Sequence, residues 1–160
     1  MRGIRMLLLS ATVLIVLLFL FSLFFSSNAK MQRAGVIDAP ASVVFRQLSD
    51  TTHWKKWYPW PVSQDLAHGK LVLGEMIKDS AVHYRVLAED DRLSLTGSFF
   101  LTATTDGKST TLNWSMERHV GLLPWWKVRG LLMDRVYGPT MEKGLTDLKA
   151  VAENAAGDTP

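Results

Sequence analysis

Leu7 to Phe25 is an uncharged run broken only by Ser10, Thr12 and Ser22, and it constrains the chain more than any other feature. At about 1.5 Å of rise per residue, such a run nearly crosses a hydrocarbon core about 30 Å thick, where every backbone N–H and C=O must be bonded internally. One helix satisfies that demand in one segment. Arg2 and Arg5 precede the run, and Lys30 and Arg33 follow it. The pattern predicts a transmembrane anchor over residues 1–29. A cleaved signal peptide is the competing reading, because Ser27-Asn28-Ala29 offers small residues where a signal peptidase cuts. Signal cores run to about 7–15 residues, and the longer run here favours the anchor. The flanking charges nearly balance and give little orientation. The short segment ahead of the helix favours an N-terminus in the cytoplasm and a domain on the extracytoplasmic (periplasmic) face of the cell membrane.

The chain beyond the anchor is long enough for one domain, expected over residues 31–155 with a disordered tail at 156–160. A domain of about 130 residues buries roughly two-thirds of the surface its unfolded chain exposes, so no metal or disulfide staple is needed. The chain has 18 Lys and Arg against 15 Asp and Glu. That excess is Arg2, Arg5 and Lys30, so the domain itself is neutral and lacks the electrostatic footprint of a nucleic-acid binder. With no cysteine, thiol nucleophiles, thiolate zinc sites, iron–sulfur clusters and disulfides are excluded together.

Hydrophobic period then locates the elements. Met31 to Ile37 reads as a first strand ending at Asp38-Ala39-Pro40, and Val44, Phe45 and Leu48 give a helical stripe behind it. His53 to Trp60 is an aromatic cluster that Pro59 and Pro61 break, a short second helix running into a loop. The middle of the chain alternates. Val82, Tyr84, Val86 and Ala88 share one face; Leu93, Leu95, Gly97, Phe99, Leu101 and Ala103 share another; Leu112, Trp114 and Met116 make a third, opposed by Thr111, Asn113, Ser115 and Glu117. Such alternation marks antiparallel strands with one apolar and one polar face. Asp106-Gly107 is a hairpin signal between two of them, Asp90-Asp91 lies in another break, and Lys70 to Ile77 is a further strand. After Pro124 the helical period returns. Gly138-Pro139 is expected to interrupt it before Met141, Leu145, Leu148 and Ala152 form the stripe of a final helix.

These residues resemble the START-like, helix-grip superfamily (SRPBCC) that includes polyketide cyclases and dehydrases. Four stretches carry the resemblance: Val36 to Pro40 with Val43, Val44 and Phe45; Asp50 to Trp60 with its three tryptophans; Gly97-Ser98-Phe99 leading to Thr110 to Trp114; and Gly138 to Leu145 with Leu148-Lys149. The resemblance implies an α+β fold in which a curved antiparallel sheet of about seven strands wraps a long C-terminal helix around an apolar cavity. It carries over no catalytic residue, because these are packing motifs and the superfamily shares no reactive group.

Nothing else in the chain forms a reactive constellation. His53, His68, His83 and His119 are scattered without a His-x-x-x-His pair, and no nucleophile elbow, phosphate loop or dinucleotide fingerprint occurs. No metal and no cofactor is expected. The leading reading is a membrane-tethered binding module for a lipid or other small hydrophobic molecule, with Tyr84, Phe99, Trp114, Met116, Met141 and Leu145 lining the pocket. Trp54, Trp57 and Trp60 cap the core or rim the cavity mouth. Trp125, Trp126, Lys127 and Arg129 combine aromatics with cations as a bilayer-touching segment does, burial under the final helix being the alternative. An enzyme of cyclase or isomerase type, using Tyr84 or Glu75 as its acid–base group, is the second reading. A structural subunit with a protein partner in a membrane complex is the third.

Overall fold

The structure, a computed structural model, describes residues 2–22, 27–60, 70–87, 94–121 and 124–157, with the backbone alone at residues 2, 22, 124 and 126–131. Helix α1 (Arg2–Ser22) is followed by strand β1 (Asn28–Ile37), helices α2 (Ala41–Ser49) and α3 (Thr51–Trp54), strands β2 (Lys70–Ile77), β3 (Ala81–Leu87), β4 (Leu95–Ala103) and β5 (Thr110–His119), and helix α4 (Pro124–Gly157). Within α1, Gly3–Phe21 is long and apolar enough to cross a membrane. Leu23, Phe24 and Phe25, the end of the run read from sequence, lie outside the described residues.

The strands form one antiparallel sheet in the order β1-β5-β4-β3-β2, with β1 brought beside β5 by the return of the chain. This is the helix-grip layout expected, but among the described residues it holds five strands rather than about seven. Much of the chain between β1 and β2 goes into two helices, and residues 61–69 and 88–93 lie outside the description. Alternation buries one face. Val82 and Tyr84 of β3, Phe99 and Leu101 of β4, and Leu112, Trp114 and Met116 of β5 are all buried. Leu93 and Ala88 fall outside the described residues, and Ala103 at the end of β4 is exposed. In β2 the register slips between Leu73 and Met76. That bulge ends the alternation expected there and leaves Glu75 and Ile77 exposed rather than sharing a face with Leu71 and Leu73.

Helix α4 crosses the buried face, chiefly over β1. Met141, Leu148 and Ala152 are fully buried, while Leu145 is half-buried and lies against Gly35 of β1. Contrary to the sequence expectation, Gly138-Pro139 does not interrupt the helix but lies inside it. Proline removes one i→i−4 hydrogen bond and crowds the preceding turn. Here Arg33 of β1 spans the break. Its Nη1 donates to Asp134 Oδ1 at 2.9 Å and its Nε to Glu142 Oε1 at 2.8 Å, one carboxylate on each side of Pro139. Those partners, Asp134 foremost, raise the guanidinium's already high pKa. The guanidinium lies directly against Gly138, where any side chain would displace it. Helix α4 continues through Ala156 and Gly157, the first residues of the expected tail, and residues 158–160 lie outside the description.

Candidate functional site

Depth along the sheet separates two environments on the one buried face. Asp50 caps α3 by accepting from Thr52 N–H at 2.8 Å, and Trp54 at the end of this short helix and Trp57 just after it are buried. Trp54 lies 5.0 Å, centroid to centroid, from both Trp57 and Tyr84, the latter edge-on, and 4.9 Å from Tyr58. Phe99 lies 5.3 Å from Tyr84 and 5.2 Å from Trp114. Each ring buries a large apolar area and the edge-to-face pairs add to it. The polar atoms are mostly satisfied. Trp54 Nε1 donates to Leu48 O at 2.9 Å, and Trp114 Nε1 donates to Tyr84 Oη at 2.9 Å. The Tyr84 hydroxyl, with its oxygen occupied as acceptor, is bonded in turn to the Tyr58 hydroxyl. Burial pushes the pKa of both phenols up, and a solvent-sealed phenol holds its proton. Trp57 Nε1 is buried without a hydrogen-bond partner.

Gly97 makes the aromatic packing possible. It pairs with Tyr84 on one side and Met116 on the other. A Cβ at Gly97 would overlap the Tyr84 ring and hydroxyl. Without one, the ring lies across β4 and its hydroxyl reaches Trp114 on β5.

Toward the other end of the same face the sheet contributes no aromatic side chain, and a cavity of about 200 Å³ opens between sheet and α4. Its floor is built from two rows. Met31 pairs with Met116 in one; Leu71, Val86 and Leu95 join Arg118 in the next. Tyr58 and Trp60 close one side, and Met133 and Tyr137 of α4 close the other. Water occupies about 30 Å³ per molecule in the liquid, so this space holds roughly seven water-sized groups. Sites for drug-sized ligands begin at about 300 Å³. By that measure the cavity is smaller than a site for a drug-sized ligand. Arg118 is the one charged residue on its wall among the described residues.

Of the six residues expected to line a pocket, Met116 does so. Tyr84, Phe99, Trp114 and Met141 lie behind it in the closed core, and Leu145 packs on Gly35. Neither acid–base candidate reaches the cavity wall: Tyr84 is sealed among rings, and Glu75 is exposed at the β2 bulge. The tryptophan cluster divides, Trp54 and Trp57 entering the core and Trp60 the cavity wall. Arg118 escaped the sequence reading although the signal was present, since Leu112, Trp114 and Met116 place residue 118 on the same inner face. Trp125 is 58% exposed, whereas the side chains of Trp126, Lys127 and Arg129 lie outside the description. His53, His83 and His119 each hold a separate hydrogen bond, to Arg46 O, Ser98 Oγ and Asn28 Oδ1. His68 lies outside the described residues.

Residues 28–153 match the family described as polyketide cyclase / dehydrase and lipid transport. No curated protein matches the chain. Among solved structures, a protein of unknown function from Staphylococcus aureus is 9% identical with a TM-score of 0.62, covering 82% of this chain and 97% of that one. The Zhui aromatase/cyclase from Streptomyces sp. R1128 is 16% identical with a TM-score of 0.54, covering 79% and 94%. A protein from Chromobacterium violaceum is 14% identical with a TM-score of 0.55, covering 78% and 97%. At these identities the likeness is one of fold.

Proposed function

The chain belongs to the polyketide cyclase / dehydrase and lipid transport family, and from that premise we propose that it is a membrane-tethered binding module for a small hydrophobic molecule with an acidic or polar end. The cavity of about 200 Å³ carries the reading: its lining residues are apolar or aromatic, with Arg118 the one charged residue among the described ones. A short apolar tail gains burial there, and Arg118 orients the end that bears charge. Binding sites of this kind are mostly apolar with a few placed polar groups.

The tether is the remainder of the proposal, with α1 as a single-pass anchor and the domain on the extracytoplasmic side. Retention of α1 is supported by what cleavage would remove. A cut after Ala29 would take Asn28 from β1, which donates to Glu117 Oε1 at 2.7 Å, pairs with His119 and meets its ring. It would also take Ser27, whose carbonyl accepts from Val120 N–H at 2.8 Å.

The test uses the full chain in detergent with a fluorescent medium-chain fatty acid and its methyl ester. Saturable binding of the acid is expected, abolished by Val86→Trp, which fills the cavity. Arg118→Met should weaken the acid by about 10- to 100-fold, the worth of a hydrogen bond to a charged group, and leave the ester unchanged. Equal affinity of native protein for acid and ester would remove Arg118 from the proposal. Binding unaffected by Val86→Trp would remove the cavity. An alkaline phosphatase reporter fused after Pro160 tests the side, and an inactive but expressed fusion would place the domain in the cytoplasm.

A further inference from the structure

The cavity and the anchor lie at the same end of the sheet. Strand β1 starts at Asn28, which pairs with His119 at the end of β5. Lys70 at the start of β2 pairs with Leu87 at the end of β3, and β4 starts nearby at Leu95, paired with Val86. These termini are the rows that hold Arg118, Leu95, Val86 and Leu71 of the cavity floor. Both described hairpins, Ile77 to Ala81 and Ala103 to Thr110, lie at the far end. Helix α1 is described as far as Ser22, and five residues, 23–27, separate that point from β1.

Chain reach turns this into an orientation. Those residues span at most about 20 Å at about 3.3–3.6 Å each. To bring the hairpin end to the bilayer, the connection would have to run back along ten-residue β1, about 33 Å at about 3.3 Å per residue. It is too short. Two further features belong to the near end. Trp125, in the first turn of α4, is 58% exposed, as interfacial tryptophans are. Lys30 and Lys70 are exposed there as well, and cations next to a membrane favour anionic headgroups.

We infer that the cavity end of the sheet faces the bilayer, and that the ligand passes between the leaflet and the cavity without crossing bulk water. This rests on the proposed reading of α1 as an anchor and of the cavity as a ligand site. It makes the ligand a membrane-resident amphiphile that offers one short hydrophobic segment, rather than a solute gathered from the aqueous phase.

The absence of cysteine allows a direct test. Full-length Lys70→Cys and Lys108→Cys, at the near and far ends, are labelled with a fluorophore and reconstituted into phosphatidylcholine–phosphatidylglycerol vesicles containing headgroup spin-labelled lipid. Strong quenching at residue 70 and little at residue 108 is expected. Equal quenching at both, or stronger quenching at 108, overturns the orientation. Transfer of the fluorescent fatty acid from vesicle to protein is followed beside it. A 20-residue Gly/Ser insertion between Phe25 and Ser26 should slow transfer several-fold while leaving affinity in detergent unchanged; an unchanged rate overturns the leaflet route. The two readings fail separately. Binding in detergent together with quenching at residue 108 sinks the inference and leaves the ligand site standing. Quenching at residue 70 together with binding indifferent to Val86→Trp sinks the ligand site and the route through it.

Discussion

Gly97→Ala is the smallest change that tests the internal architecture. The added methyl would occupy space held by the Tyr84 ring and hydroxyl. Tyr84 has nowhere to retreat: it is fully buried, with Trp54 and Phe99 rings 5.0 and 5.3 Å away. Overpacking of this kind costs about 1–3 kcal/mol. If the ring swings aside, Trp114 Nε1 loses its acceptor, and a buried unsatisfied donor costs about another 1–3 kcal/mol. Against this, alanine in a strand recovers about 0.5–1 kcal/mol of the backbone entropy that glycine loses on folding. The net is about 3 kcal/mol, a large share of the roughly 5–15 kcal/mol that holds a domain folded. It should appear as a fall of about 10 °C in the melting midpoint and a matching shift in a urea titration of the full chain in detergent. Tyr84→Leu alone should be costly too, because it leaves a void and the same unpaired indole. The double variant decides the matter. With no ring to displace, Gly97→Ala should add almost nothing to Tyr84→Leu, giving a coupling of about 3 kcal/mol between the sites. If Gly97→Ala is neutral, or if the two losses simply add, the argument from close approach is wrong.

Three other outcomes are expected from features on the same face. Trp54→Phe should destabilise by about 1 kcal/mol more than Trp57→Phe in matched urea titrations, because Trp54 donates to Leu48 O whereas Trp57 Nε1 is buried without a partner; equal losses would contradict the hydrogen-bond assignment. Burial raises the pKa of Tyr58 and Tyr84 above the phenol's ordinary value. Above about pH 10 the unfolded chain therefore gives up protons that the folded one keeps, and stability should fall by up to about 2.7 kcal/mol per pH unit for the pair. A stability flat to pH 12, or tyrosinate absorbance from both residues near pH 10 with the fold intact, would count against it. Arg33→Met should cost only about 1 kcal/mol globally, since both carboxylate partners are largely exposed. It should nevertheless speed hydrogen exchange of the α4 amides around Pro139 well beyond that global loss, and a uniform acceleration along the helix would deny Arg33 its splinting part.

Much of the fold could be read because period is a local property. Alternation in Val82–Val86, Leu95–Leu101 and Leu112–Met116 marks the strands and their inner face without knowledge of their neighbours. Position along that face is another matter. Trp114, Met116 and Arg118 are indistinguishable by period, yet the first packs among rings, the second reaches the cavity and the third brings it a charge. What separates them is how far along the sheet the aromatics of residues 54–60 extend, a long-range fact. Leu145 illustrates the same limit, since its stripe is right but its contact is set by a glycine far away in sequence. Pro139 misled for a related reason. Proline is a local signal for interruption, and the guanidinium that overrides it comes from β1.

Because one side chain bridges Pro139, the two halves of α4 are joined in position while packing to different depths. Met141, Leu148 and Ala152 on the later half are locked into the interior, where a change of a single methylene is felt. Met133 and Tyr137 on the earlier half form a cavity wall, while their neighbours Leu132 and Val136 are 51% and 63% exposed. Substitutions at Tyr137, or at the exposed Leu132 and Val136 before the proline, should therefore cost the interior less than substitutions at the fully buried Met141, Leu148 and Ala152 after it, with the buried Met133 falling between the two.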